Sequence, residues 1–186
     1  MFFLLFHGMI IVEICYYHGG VFMGSGYSFK CKKCRHEYSL HLGIGMMFPR
    51  VYRACLSDIK EGKYGEEWKA LALSEDYIAV DASRYLYICK SCGNWELTYS
   101  LSLYKPKDPE SIPDKQFGIK TVREWGYVPY VTPSDLEYHY TFLKSYVHKC
   151  DKCGKRMHKA DTDHLTSLPC PKCGTVNKVH DEIMWD

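Results

Sequence analysis

Hydrophobic and polar residues alternate on both sides of the pair Cys31 and Cys34. After this pair, single polar residues separate the hydrophobic positions Tyr38, Leu40 and Leu42. An alternation with a period of two is typical of a β-strand that buries one face. Residues 27–42 are therefore predicted to form a β-hairpin with the two cysteines at its tip.

The same pattern recurs in residues 85–103, around Cys89 and Cys92. After the second of these cysteines, polar residues alternate with Trp95, Leu97, Tyr99, Leu101 and Leu103. This is the cleanest strand pattern in the chain. It predicts a second hairpin, built like the first and also ending in a cysteine turn.

Helical spacing replaces the alternation between the two hairpins. Pro49 suits the first turn of a helix, and Gly62 suits its end. The hydrophobic stripe between them is Val51, Ala54, Cys55 and Ile59. A second short helix is predicted over residues 66–74. Because Cys55 lies in the hydrophobic stripe, we interpret it as an ordinary buried thiol.

The last third of the chain begins with a stretch rich in proline and mixed charge. Residues 105–131 are predicted to be a linker or a long surface loop. Thr132 and Pro133 then form a helix start, and the hydrophobic residues Leu136, Tyr140 and Leu143 follow it at helical spacing. Two further Cys-x-x-Cys pairs, flanked by short hydrophobic segments, complete the chain.

The cysteines favour metal binding over disulfide bonding. Eight of the ten cysteines in this chain of 186 residues occur as four Cys-x-x-Cys pairs. Two thiols at this spacing lie on one side of a tight turn and suit one metal ion. In three of the pairs a glycine follows, as a turn with positive φ requires, and Arg35 occupies that place in the first pair.

Zinc requires four ligands in a tetrahedron, so each cysteine turn must combine with another. Residues 154–169, sixteen in all, separate the third and fourth turns, which is the spacing of simple zinc sites made of four cysteines. Here the chain resembles the zinc-ribbon family, with its rubredoxin-like knuckles, most clearly in the segment Cys170-Pro-Lys-Cys173-Gly174. The resemblance covers residues 146–180 and implies the ligands Cys150, Cys153, Cys170 and Cys173.

The first two turns are farther apart. Residues 35–88 separate them, and we interpret this as a split zinc ribbon that contains the two helices as an insertion. Its ligands would be Cys31, Cys34, Cys89 and Cys92. A crossed pairing, in which Cys31 and Cys34 join the fourth turn, remains the alternative.

These two pairings predict an α+β fold of small β-hairpins stapled by zinc, with two zinc ions per chain. The predicted units are 23–104 for the split ribbon and 132–186 for a helix with the C-terminal ribbon. Four cysteines leave no open position on the metal, which predicts structural centres. Rubredoxin-like iron is the competing metal. Histidines near the turns are alternative ligands: His36, His148, His158 and His164.

Charge and motifs restrict the function only partly. The formal net charge is +2, and two zinc–thiolate centres lower it to −2. The third turn lies in a basic run that either offsets this charge or binds nucleic acid: Lys149, Lys152, Lys155, Arg156, His158 and Lys159. P-loop, nucleophile-elbow and dinucleotide motifs are absent, so no residue is predicted to be catalytic.

These observations predict a cytoplasmic interaction module that binds a protein or a nucleic acid and does not contact a membrane. An enzyme or a rubredoxin-like electron carrier with an unrecognised active site is the alternative. The metal-binding spacing of the thiols and the lack of a convincing secretion signal oppose a secreted protein with disulfide bonds.

The hydrophobic segment formed by residues 1–22 is expected to be a non-native or disordered leader. It lacks the basic start of a signal peptide, and His7 and Glu13 interrupt it. Codons for Gly19 and Gly20 can read as a bacterial ribosome-binding sequence, which would make Met23 the true start.

Removal of residues 1–22 should therefore leave the fold intact. A chain that begins at Met23 should match the melting temperature and solubility of the full chain, because the leader is expected to contribute no packing. Thermal melting of both chains checks this. A large loss of stability in the shorter chain would show that the leader packs against the domain.

Overall fold

Residues 24–185, which the computed structural model describes, form thirteen short strands, five α-helices and one 3-10 helix. The strands are β1 (Gly24–Lys30), β2 (Glu37–Leu42), β3 (Ala79–Val80), β4 (Arg84–Ile88), β5 (Trp95–Tyr99), β6 (Leu103–Pro106), β7 (Gln116–Phe117), β8 (Lys120–Thr121), β9 (Tyr140–Lys144), β10 (His158–Lys159), β11 (Ser167–Pro169), β12 (Val176–Lys178) and β13 (Asp181–Trp185). The helices are α1 (Phe48–Lys60), α2 (Glu66–Ala72), α3 (Val122–Trp125), α4 (Pro133–His139) and α5 (Thr162–Leu165), with the 3-10 helix at Ile112–Asp114. The expected leader, residues 1–22, lies outside the described residues.

The strands form five small antiparallel sheets. Three sheets have three strands, in the orders β13-β1-β2, β10-β4-β5 and β3-β6-β9. The other two are the pairs β11-β12 and β7-β8. The expected mixture of helices and small antiparallel sheets is therefore confirmed. Within the described residues, no helix combines the length and hydrophobicity that crossing a membrane requires.

The main hydrophobic core lies beneath the two predicted helices. Helix α1 buries Phe48, Tyr52, Cys55 and Ile59, whereas Ala54, expected in its buried stripe, is exposed. The stripe starts one turn earlier than predicted, because Phe48 opens the helix ahead of Pro49. In α2, Trp68 is buried and its indole Nε1 donates to the carbonyl of Leu101 over 2.9 Å. This bond connects the helical insertion to the end of the second hairpin.

Two predictions about element boundaries are wrong. The strand expected to run from Trp95 to Leu103 ends at Tyr99, because Leu101 adopts a positive φ of 57° and interrupts the ladder. The helix that starts at Thr132 ends at His139. Tyr140 is therefore extended and begins β9, where it pairs with Pro106 of β6.

The start of helix α4 is as predicted. The Thr132 side chain accepts from the amide of Asp135, and the Asp135 carboxylate accepts from the amide of Thr132. Such reciprocal capping satisfies amides that have no partner within the helix. Lys115 forms a salt bridge with the same Asp135, which fixes the stretch before α3 against α4.

A second core packs the two hairpins together. Its buried residues come from β1, β2, β4 and β11 and are Phe29, Leu40, Leu42, Leu86 and Leu168. A backbone bridge between Gly43 and Arg84 connects the end of the first hairpin with the start of the second. The two hairpins therefore lie side by side, and their cysteine turns face segments from the last third of the chain.

The first and last described strands also pair. In β1, Gly24 lies opposite Trp185 of β13, and Gly26 lies opposite Ile183. A Cβ atom at Gly26 would come within 2.7 Å of Ile183 and 2.8 Å of the carbonyl of Leu40. These glycines therefore allow the terminal strand to lie close against the first hairpin.

Gly26→Ala should lower stability because the added methyl group clashes with backbone as well as side chain. We expect a loss of about 1–3 kcal/mol in the free energy of unfolding. Ser25→Ala, on the exposed face of the same strand, should change it by less than about 0.5 kcal/mol. Urea unfolding of both variants checks this, and equal losses would contradict the close approach of β13.

Candidate metal centres

The four Cys-x-x-Cys turns share one backbone conformation. In each, the amide of the first cysteine donates to the carbonyl five residues later, over 2.8–2.9 Å. The amide four residues after the first cysteine donates back to that cysteine's carbonyl, also over 2.8–2.9 Å. The four pairs therefore form structurally equivalent knuckles, although the sequences around them differ.

The position after the second cysteine has a positive φ in every knuckle. Gly93, Gly154 and Gly174 have φ values of 69–74°. Arg35 holds the same place with a φ of 58°, at the conformational cost that a side chain incurs there. The turn geometry predicted from the glycines is confirmed, and it also forms without glycine.

The knuckles combine in the crossed pairing. Cys31 and Cys34 meet the fourth knuckle, and two sulfur pairs across this contact are 3.5 Å (Cys31–Cys173) and 3.6 Å (Cys34–Cys170) apart. This group is the first tetrad: Cys31, Cys34, Cys170 and Cys173. The prediction that neighbouring knuckles pair along the chain is wrong.

The second tetrad joins the two inner knuckles and comprises Cys89, Cys92, Cys150 and Cys153. Two of its sulfur pairs are 3.4 Å (Cys89–Cys153) and 3.6 Å (Cys92–Cys150) apart. The predicted local ribbon over residues 146–180 therefore does not form as a unit, since its two knuckles belong to different tetrads. All eight residues named from the sequence lie in the two groups.

Strand pairing is the reason for the crossed arrangement. The strand β10 adds to the edge of β4, with His158 opposite Ile88, and so brings the third knuckle beside the second. The amide of Asp151 donates to the Glu96 carboxylate over 3.2 Å and fixes this contact. The third knuckle therefore lies against the second knuckle and not against the fourth.

Contacts of Asn177 and Tyr38 place the fourth knuckle beside the first. The side-chain oxygen of Asn177 accepts from the amide of Lys32 over 3.1 Å, and Asn177 is only 2% exposed. The hydroxyl of Tyr38 donates to the carbonyl of Leu168 over 3.0 Å. Neither contact was predicted from the sequence, because an asparagine after a knuckle and a tyrosine in a strand carry no pattern that indicates a partner.

Backbone amides favour the thiolate form in both tetrads. Hydrogen bonds from the amides of Cys34 and Lys33 lower the pKa of Cys31 to about 6, although burial opposes them. Burial likewise raises the pKa of Cys89, but amide hydrogen bonds from Cys92 and Ser91 outweigh it and lower that pKa to about 7. The thiolate is the form that ligates metals, so the backbone amides prepare these two sulfurs for an ion. Amides also act on Cys34 and Cys92, but burial and the neighbouring thiols outweigh them and raise the pKa of both groups.

The donor sets fit a tetrahedral metal ion. In each tetrad all four sulfurs lie within 4.8 Å of one another. A tetrahedron with metal–sulfur bonds of about 2.3 Å has sulfurs about 3.8 Å apart, close to the four separations given above. None of the nine described cysteines forms a disulfide. Two cysteine tetrads that could each hold a metal ion are therefore present.

The histidines considered as alternative ligands stay outside both tetrads. His36 and His158 are exposed, and His164 pairs with Asp161. His148 is buried, and its Nε2 lies 3.2 Å from the carbonyl of Ser100. Cys55 is buried in the main core, as expected, and burial raises its pKa to about 11.

No protein-family model, curated protein or solved structure matches the chain. The chemistry of the two centres is therefore inferred from their own geometry.

The crossed pairing makes a specific prediction about metal content. Cys34→Ser with Cys173→Ser disrupts one tetrad and should remove one metal ion per chain. Cys34→Ser with Cys92→Ser disrupts both tetrads and should remove two. Elemental analysis of the purified variants measures this.

Cys55→Ala is the matched control, because this buried thiol belongs to neither tetrad, and it should keep the full metal content. The reverse result for the two double variants would support pairing between neighbouring knuckles instead.

Proposed function

We propose that the chain is a zinc-binding interaction module whose eight knuckle cysteines hold two structural Zn²⁺ ions. The observation that carries the proposal is the closure of each tetrad by four protein sulfurs. A catalytic zinc keeps a position for water or substrate, whereas a centre of four cysteines has none. The role of each ion is therefore to hold the chain together.

The size of the sheets supports a structural role. No sheet of the described chain has more than three strands, and several strands have only two residues. An isolated two-stranded sheet is marginally stable in water, and three strands are about the minimum for a sheet that is stable by itself. Structural zinc contributes about 10–16 kcal/mol in zinc-finger peptides, which is comparable with the whole stability of a domain.

Zinc is the metal that this role favours. A tetrahedral site of four sulfurs accepts either zinc or iron, and zinc has no redox chemistry. Thiolate ligands persist in a reducing compartment, so we place the protein in the cytoplasm. Its partner is a protein or a nucleic acid, because closed metal centres on rigid turns provide a surface and not a reaction site.

Protein purified without added metal should contain two zinc ions per chain, bound only by sulfur. Elemental analysis and X-ray absorption spectroscopy check the number, the element and the ligands. Removing the ions with a strong chelator should unfold the chain cooperatively, because the sheets depend on the knuckles.

Three results would contradict the proposal. Visible absorption from bound iron would contradict zinc and favour an electron carrier. Nitrogen in the first coordination shell would contradict the ligand set. An unchanged melting curve after complete metal removal would contradict the structural role.

A further inference from the structure

A polar cleft lies beside the second tetrad. It has a volume of about 350 Å³ and is lined by residues of β4, β6, β9 and β10. Tyr87, in its wall, also packs in one small cluster with Cys89 and Cys150. Pockets that bind small molecules or single groups of a larger ligand begin at about 300 Å³. The cleft is therefore large enough for one planar heterocycle.

The floor of the cleft contains a buried carboxylate. Asp81 is 8% exposed, and its Oδ1 accepts from the amide of Ser83 over 3.0 Å. Among the described residues it forms no salt bridge. An ionised carboxylate can accept several more hydrogen bonds, and burying one is costly when they are not made. Asp81 is therefore suited to accept N–H groups from a ligand.

The backbone presents two hydroxyl groups beside this carboxylate. The amide of Asp81 donates to the carbonyl of Ser102. Leu101 is buried and has a positive φ, and the serines on either side of it, Ser100 and Ser102, line the cleft. Their hydroxyl oxygens lie 3.0 Å apart. The floor therefore offers an acceptor and adjustable donors, which is the combination that reads the edge of a nucleobase.

Aromatic rings form one wall. Tyr104 and Phe142 line the cleft with ring centres 5.6 Å apart, and Phe142 is 55% exposed. Exposed aromatic rings beside a polar floor provide a stacking surface that accepts any base. The large exposed fraction of Phe142 has no packing explanation within the described chain.

Basic side chains also line the cleft, and further ones lie beyond it. Lys159 and Arg156 line the cleft, with the Lys159 ammonium 3.1 Å from the centre of the Tyr85 ring. The adjoining knuckle carries three more exposed lysines that form no salt bridge among the described residues: Lys149, Lys152 and Lys155. The positive charge thus continues along the surface, as a chain of phosphates requires.

We propose that this cleft binds a nucleotide with adjacent N–H donors on its base, presented by a single-stranded nucleic acid. The inference names the partner of the interaction module proposed above and rests on that function. The base stacks on Phe142, its donor edge faces Asp81, and the phosphates on either side contact the lysines of the third knuckle.

Guanine matches the floor best. Its N1–H and N2–H₂ groups lie side by side and can share one carboxylate. Thymine and uracil present a single N–H between two carbonyl oxygens, which the carboxylate repels. A short thymidine strand with one central guanosine should therefore bind more tightly than the same strand without it.

Fluorescence anisotropy with these two strands and with guanosine monophosphate tests the proposal. The strand with guanosine should bind at least tenfold more tightly than the mononucleotide, because only the strand reaches the lysines. Equal affinity of mononucleotide and strand would contradict a polymeric ligand. Equal affinity of the two strands would contradict the role of the floor.

Lysine variants locate the phosphate track. Replacing Lys149, Lys152 and Lys155 by glutamine should make the slope of log K against log salt concentration about 2 less steep. Each phosphate contact with a single strand contributes about 0.7 to that slope. The matched control replaces Lys32, Lys33 and Lys172 by glutamine at the first tetrad, with the same charge change. An equal loss of strand affinity and of salt dependence in both variants would show that the strand is attracted by positive charge anywhere on the surface, and it would overturn the site.

Two cleft variants test the base contacts. Asp81→Asn keeps the shape and the acceptor for Ser83, and it should abolish the preference for guanosine without weakening the thymidine strand. Phe142→Ala removes an exposed ring and should weaken both strands about tenfold. Unchanged binding in both variants would overturn the proposal.

Metal content and melting curves of every sample separate this inference from the structural role of the ions. A folded, zinc-loaded protein that binds neither strand would overturn the cleft assignment and leave a protein as the partner. Strand binding by a folded protein without metal would contradict the role of zinc and still support the cleft.

Discussion

A tetrahedral thiolate centre needs four sulfurs, and one Cys-x-x-Cys turn supplies two. This constraint couples distant parts of the chain, because each knuckle is half of a site until it meets another. The two tetrads satisfy it in a nested order, with the inner knuckles joined to each other and the outer knuckles joined around them. The two hairpins, the strand β10 and the closing strand β13 are all positioned by contacts consistent with that order.

Local structure was largely predictable from the sequence, because local rules determine it. The strands around Cys31 and Cys89, the helix after Pro49 and the cap at Thr132 all follow from periodicity and capping chemistry within a few residues. The positive φ after the second cysteine of each knuckle was predicted from the glycines that follow three of the four pairs. The local predictions failed at Leu101 and at Tyr140, where contacts with β9, with α2 and with the Asp81 segment determine the backbone.

The pairing of the knuckles was not predictable by the same means. Spacing favoured a local ribbon in the last third of the chain, since a short loop costs less entropy to close than a long one. That difference is small, about 0.6 kcal/mol for each doubling of loop length, and a few buried contacts exceed it. Asn177, Tyr38 and the pairing of β10 with β4 supply such contacts. Nothing in the sequence indicates that these particular residues meet.

The nested order has a consequence for synthesis of the protein on the ribosome. Cys89 is separated from Cys153 by 64 positions, whereas Cys31 is separated from Cys173 by 142. At a translation rate of about 5–20 residues per second, the outer pair waits on the order of ten seconds for its partner. During that interval Cys31 and Cys34 are nascent-chain thiols, and the inner centre can close first. The nested order therefore allows assembly from the inside outward during synthesis.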